Sequence, residues 1–132
     1  MNELSVKYYL SDKLNFSPND IQKLETFKKE LLSFNLNYNL ISKNSEKDIW
    51  NRHILDSAQL TNFINFKSSS SLSDLGSGGG FPGIVLAIFN KNPKFHVKLF
   101  EKSKVKCRFL NTVKKRISIN FSLYENDYQY HI

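Results

Sequence analysis

Cysteine is nearly missing from this chain of 132 residues. Cys107 stands alone, so neither an internal disulfide nor a cysteine-based metal cluster can form, and a reducing cytoplasm is the expected home. Long apolar runs are missing too: none approaches the ~18–20 residues of a membrane span. The first ten residues mix Glu3 and Lys7 with apolar side chains and lack the hydrophobic stretch of a secretory leader. Glycine is scarce, and all five glycines fall between positions 76 and 83. What is present excludes a disordered chain: 40% of residues are hydrophobic and 14% aromatic, enough for one domain with a core.

Acidic side chains run out toward the end. Residues 1–50 and 51–90 are each balanced in charge, so the net charge of +7 arises in 91–132. There Lys91, Lys94, Lys98, Lys102, Lys104, Lys106, Arg108, Lys114, Lys115 and Arg116 face only Glu101, Glu125 and Asp127. Such an excess suits a polyanion, nucleic acid above all, although a solvated lysine-rich surface has the same composition.

Periodicity divides the chain near residue 67. Before it, a short helix is expected at about 3–13. A second helix starts at Ser17-Pro18-Asn19-Asp20, with Ser17 as cap and Pro18 in the first turn, and carries Ile21, Leu24, Phe27, Leu31 and Leu32 at helical spacing. A third is expected over about 45–66, its apolar side holding Ile49, Trp50, Ile54, Leu60, Phe63 and Ile64. After the serine-rich joint at 67–71 the pattern becomes β-α-β-α-β. A strand ends at Asp74-Leu75, a helix runs to about Asn90 with Pro82 in its first turn, and a strand covers Phe95 to Phe100. A helix capped by Ser103 and a strand within 120–125 follow. Residues 1–67 thus read as a helical segment, and 68–132 as the first half of a parallel, Rossmann-like α/β sheet within one structural unit. Such a sheet should continue past three strands, so the chain is expected to be a C-terminally truncated piece, with the first strand open to a complementing polypeptide.

Asp74-Leu75-Gly76-Ser77-Gly78-Gly79-Gly80-Phe81-Pro82-Gly83 joins the first strand to its helix. Strand, glycine loop and helix is how doubly wound folds hold nucleotide-like cofactors. Two classes compete. Gly78-x-Gly80-x-x-Gly83, with Glu101 about 20 residues on, matches the dinucleotide fingerprint. Asp74-x-Gly76-x-Gly78-x-Gly80 matches the acidic loop of class I S-adenosylmethionine enzymes, where an acid suits the donor's ammonium. A diphosphate instead needs N–H donors at the helix start, and Pro82 lacks one. The residues favour the methyl donor. Glu101 serves a ribose in either class, and Asp127, after the third strand, can accept from an adenine amino group. His53, Asp56 and Ser57 share a helix face, but without a nucleophile elbow they read as bracing rather than as a hydrolase. No catalytic acid–base pair and no metal site is expected.

Tyr38-Asn39-Leu40-Ile41-Ser42, Arg52-His53-Ile54-Leu55-Asp56-Ser57, the glycine segment, and Glu101 with Lys104-Val105-Lys106-Cys107-Arg108-Phe109-Leu110 occur in one order with compatible spacing. Over about residues 23–127 the chain resembles the ribosomal RNA small subunit methyltransferase G (glucose-inhibited division protein B) family. The resemblance implies a class I fold and S-adenosylmethionine-dependent methylation of guanine N7 in 16S ribosomal RNA, free or within the small subunit. It implies that Gly76 and Gly78 line the donor, that Phe81 packs near it, that Glu101 takes the ribose, and that Asp127 and Tyr128 meet the adenine. Asn126 stands where the family typically carries arginine. The family's fourth strand and its Ser/Cys-Arg-Ala segment have no counterpart here, so weak or no methyl transfer is expected of the chain alone. The alternatives are an inactive or RNA-binding remnant and a dinucleotide-dependent oxidoreductase.

Overall fold

The computed structural model describes residues 1–125. Helix α1, Glu3–Leu14, is capped by Asn2, whose side chain accepts the Ser5 N–H, and closes on Asn15 in the left-handed region (φ 63°). Val6, Leu10 and Leu14 bury one face at a spacing of four. Helix α2, Pro18–Asn35, opens with a reciprocal box in which Ser17 and Asp20 each accept the other's backbone N–H, an arrangement that satisfies two orphan donors. Leu24, Phe27 and Leu31 form its buried stripe. The asparagines after it have a defined use. Asn35 Oδ1 accepts the Leu40 and Ile41 N–H groups, and its amide donates to the Ile41 carbonyl and to Glu46. The turn at 36–42 is therefore built on one side chain.

The long helix expected over 45–66 is not continuous. It divides into α3, Lys43–Glu46, a π turn, Trp50–Ile54, α4, Leu55–Ala58, and a 3₁₀ turn, Gln59–Phe63. Ile49, Trp50, Ile54, Leu55 and Ala58 are all buried, a set wider than one 3.6-residue stripe, and the broader π turn gathers them onto the core. Leu60 and Phe63, expected on the apolar side, are 39% and 84% exposed. The 3₁₀ turn rotates them out of register with α4.

Strands β1, Ser71–Leu75, β2, His96–Phe100, and β3, Ser122–Tyr124, form a parallel sheet in the order β1-β2-β3. Leu75 pairs with Phe100 and Phe100 with Tyr124, so the loops leaving all three strands emerge along one edge. Among the described strands, β1 pairs only with β2. Helix α5, Gly83–Phe89, is buried through Ile88 and packs on β2, α2 and α4. Pro82 does not occupy its first turn: it stands at the N-cap after a cis peptide bond, and the helix begins at Gly83. Helix α6, Lys104–Ile117, is capped by Ser103, closes on Ser118 (φ 51°), and buries Cys107, Phe109, Leu110, Val113 and Ile117. One apolar cluster runs from Val6 through Phe27, Ile84 and Leu99 to Phe121, so the helical cover and the sheet share a core. Lys91 fastens the far side. Its ammonium caps the Ile88 and Phe89 carbonyls at the end of α5 and lies 2.6 Å from Asp20 at the start of α2. No helix among the described residues is long and apolar enough to cross a membrane.

Cys107 is buried, and its thiol donates to the Glu101 carbonyl at 3.2 Å. Burial, with smaller contributions from Glu125 and Glu101, pushes its pKa up to about 11. Because the thiolate is the reactive species, Cys107 is expected to resist iodoacetamide at pH 8 in the folded protein and to react fully in denaturant. Mass spectrometry of the alkylated chain reads the difference.

Candidate functional site

The glycine loop lies over the carboxyl end of β2. Gly76 and Ser77 both donate backbone N–H to the Phe100 carbonyl, at 2.8 and 3.2 Å. Ser77, which is buried, turns its hydroxyl back to the Asp74 carbonyl, and its own carbonyl accepts the Gly80 N–H. Glu101 follows β2 and clamps the loop. One carboxylate oxygen accepts the Gly78 N–H at 2.8 Å, and the other accepts the Ser103 N–H at 2.9 Å. Asp74, at the end of β1, accepts the Gly83 N–H at 3.0 Å. Sequence reasoning missed Ser77 and Ser103 as parts of this arrangement. Only the helix-capping position of Ser103, two residues after Glu101, signalled it.

The five glycines divide by surroundings. A Cβ on Gly80 (φ +94°) would come within 2.7 Å of Ile84 and 3.1 Å of Phe27. One on Gly83 would come within 2.7 Å of the Asp74 carboxylate and 2.9 Å of Leu99. One on Gly79 would press on Ile41 of the 36–42 turn. Gly76 (φ +75°) faces nothing within 4 Å, and Gly78 (φ +54°) meets only the Gly76 carbonyl at 3.8 Å. Gly80 and Gly83 are thus glycines for packing. Gly76 and Gly78 leave open space, a cradle, and they are the two that the family resemblance leads one to expect at the donor.

Asp74 and Glu101 are only 9% and 6% exposed, and no ion pair among the described residues engages either. Burial raises the Asp74 pKa; the Gly83 N–H opposes this, and the Glu101 charge adds to it. Two buried carboxyl groups therefore lie beside the cradle with their backbone hydrogen bonds made and, among the described residues, no ion-pair partner. Such a site attracts positive charge and repels phosphate. The start of α5 offers a diphosphate little, because the Gly83 N–H is taken by Asp74 and the Ile84 N–H by the Gly80 carbonyl.

Phe81 points its described ring contacts at the helical cover. It stacks on His53 (4.8 Å, 22°) and tilts against Phe27 (5.2 Å). His53 sits on the π turn, Asp56 is exposed, Ser57 is buried, and the described hydrogen bonds join none of the three to another. Bracing of the loop is what His53 does here. Burial, with a smaller lowering effect from Arg52 and against a raising one from Asp56, depresses its pKa below the ordinary 6.5. The folded state then binds fewer protons than the unfolded state, so this contribution to stability is present above pH 6.5 and is lost as pH falls through the depressed value. Urea melts between pH 7.5 and 5 should show stability falling toward acid, with a shallower decline in His53→Gln. Asp127, Tyr128 and Asn126 lie outside the described residues.

The rRNA small subunit methyltransferase G family matches residues 20–126 of this chain. A ribosomal RNA small subunit methyltransferase G from Bartonella tribocorum is 42% identical over 105 residues, covering 79% of this chain and 48% of that protein. One from Jannaschia sp. is 36% identical over 125 residues, covering 93% and 58%. One from Gluconobacter oxydans is 45% identical over 89 residues, covering 67% and 44%. The chain spans about half the length of these curated relatives. With the parallel sheet, the acid-flanked glycine loop and the four sequence segments in agreement, this chain belongs to the rRNA small subunit methyltransferase G family.

Proposed function

We propose that this chain forms the donor-binding half of an S-adenosylmethionine-dependent methyltransferase acting on guanine N7 of 16S ribosomal RNA. The observation that carries the reading is the pair of buried carboxyl groups, Asp74 and Glu101, flanking an open cradle at Gly76 and Gly78. A donor with sulfonium and ammonium groups fits that field; a dinucleotide diphosphate does not. Gly76 and Gly78 admit the donor's backbone-hugging face, and Glu101 has remaining lone pairs for ribose hydroxyls. Asp74 faces the methionine ammonium directly or through water, and Phe81 holds the loop against His53. Asp127 and Tyr128 complete the assignment at the adenine. When bound, the donor supplies an electrophilic methyl group. Guanine N7 already carries a lone pair, so this chain's task is positioning, and no proton need be removed first.

The proposal extends to the partners. The division near residue 67 separates a helical cover from a sheet half that presents β1 for further strands, supplied by the remainder of such an enzyme or by a complementing polypeptide. The substrate is 16S RNA or the small subunit, and the compartment is the cytoplasm. Calorimetric titration tests the donor: S-adenosylhomocysteine should bind and NADH should not, and the reverse would replace this reading with an oxidoreductase. Methyl transfer to unmethylated small subunits should be weak for this chain alone and should rise on co-expression with the part of a relative that this chain does not match. No rise would favour an inactive remnant.

Asp74→Asn separates charge from structure. The amide oxygen can still accept the Gly83 N–H, so the melting point should change little; removal of a buried carboxyl whose pKa is raised also removes a penalty that grows as pH climbs through that value. Affinity for S-adenosylhomocysteine should fall about 10- to 100-fold, the worth of a hydrogen bond to a charged group.

A further inference from the structure

We infer that the cleft between the end of α2 and the outer stripe of α6 is a binding site for an unpaired RNA nucleotide flanking the target base; this rests on the rRNA reading above. Two sequence segments that the donor site leaves unused meet here, 70 residues apart. Arg108 Nη2 donates to the Tyr38 hydroxyl at 3.2 Å, and the guanidinium carbon lies 5.6 Å from the centre of the Tyr38 ring. Phe34, Tyr38, Arg108, Asn111, Thr112 and Lys115 line a cavity of about 350 Å³, near the low end of the ~300–1,000 Å³ typical of small-ligand clefts.

The chemistry of the lining matches one ligand class. Positions 108, 111, 112 and 115 repeat at helical spacing, so one stripe of α6 presents a guanidinium, an amide, a hydroxyl and an ammonium together. A tyrosine ring and an arginine plane offer stacking surfaces for a base, and Asn111 offers both a donor and an acceptor to its edge. Arg108 and Lys115 supply positive charge for phosphate on a helix that carries six basic and no acidic residues. Arg116, by contrast, is drawn to Glu30 at 3.6 Å, and Lys114 lies over Phe121, so neither is spent on this cleft.

Its location suits a substrate flank. Tyr38 lies in the 36–42 turn, whose Leu40 and Ile41 lie against Gly79 of the glycine loop. Rings of the core join the two places: Phe81 meets Phe27, Phe27 meets Phe109, Phe109 meets Phe34, and Phe34 meets Tyr38, so the cleft and the loop are held by one packed set. On this proposal, RNA seated at Arg108 places a neighbouring nucleotide at the donor cradle.

The test is titration of the chain with a single-stranded RNA oligonucleotide carrying one 2-aminopurine, alongside the matching duplex. Single strands should bind more tightly than duplex, with fluorescence quenched by stacking. Arg108→Ala and Tyr38→Leu should weaken binding about 5- to 100-fold. Arg108→Lys should keep the salt dependence but lose the quench, Tyr38→Phe should keep both, and Lys115→Ala should flatten the salt dependence by about one counterion. Tyr38 and Arg108 are at the surface, and thermal melts of each variant check the fold. Unchanged affinity and quench in Arg108→Ala and Tyr38→Leu would overturn the cleft while leaving the rRNA reading standing. Release of the RNA by an acidic peptide with no quench at any stage would replace a nucleotide with a protein partner. A chain that binds S-adenosylhomocysteine but no RNA would overturn both the cleft and the RNA substrate. Loss of S-adenosylhomocysteine binding with the quench retained would strike the donor assignment alone.

Discussion

Gly80→Ala is expected to destabilise the fold by about 2–5 kcal/mol and to abolish measurable S-adenosylhomocysteine binding. Two penalties add. A residue with a side chain at positive φ costs about 1–2 kcal/mol, and Gly80 sits at φ +94°. The new methyl would also lie 2.7 Å from Ile84 and 3.1 Å from Phe27. Both neighbours are fully buried and have no room to retreat, which is overpacking worth about 1–3 kcal/mol more. Gly76→Ala makes the comparison. It has positive φ but open space, so only the strain of about 1–2 kcal/mol applies. Its methyl would project into the cradle instead. Folding should therefore survive Gly76→Ala while S-adenosylhomocysteine affinity drops by at least tenfold. Thermal denaturation and calorimetry on the two variants read these effects separately. If Gly76→Ala binds the ligand normally, the cradle is not the donor site.

Glu101→Ala should be the most damaging single change at the acid positions. It removes the acceptor of two backbone N–H groups, from Gly78 and Ser103, and a hydrogen bond to a charged group contributes about 1.5–3 kcal/mol. The glycine loop and the start of α6 lose their shared anchor together, so the expected loss is about 3 kcal/mol or more in stability and more than 100-fold in S-adenosylhomocysteine affinity. Glu101→Gln keeps one acceptor oxygen but turns an NH₂ group toward a backbone N–H. It should recover part of the stability and little of the affinity. Equal affinity in Glu101→Gln and the unaltered protein would show that ribose recognition lies elsewhere.

The consequences for regulation of the loop follow from the same geometry. Its attachments include the Phe100 carbonyl, Glu101, Asp74 and the Phe81–His53 stack. They come from both neighbouring strand ends and from the helical cover, so the loop's position reports on the packing of the sheet and that cover at once. The pH dependence expected at His53 is one visible result. The His53 contribution to stability falls toward acid, whereas the Asp74 contribution runs in the opposite sense.

Much of this was readable along the chain. The capped starts at Ser17 and Ser103, the strand–glycine–helix order and the alternation at Phe95 to Phe100 are local signals, because capping, turn formation and strand alternation depend on near neighbours. Local chemistry also marked Asp74 and Glu101 as the acids at strand ends. The reading of 45–66 as one helix failed because periodicity records which residues are apolar, not which hydrogen-bond spacing lets them all reach the core. Pro82 was misplaced by one position, since the loop's path, set by Gly83 meeting Asp74, decides where the helix begins.

What the sequence determined by itself is the family and, outside 45–66, the order of elements, both of which lie in residue identities and short spacings. Only the tertiary structure separated the cradle glycines from the packing glycines, gave both Glu101 oxygens to backbone N–H groups, and joined Tyr38 to Arg108. Those outcomes depend on distances between residues up to 70 positions apart. Such distances are set by how the shared core brings elements together, which no local pattern encodes.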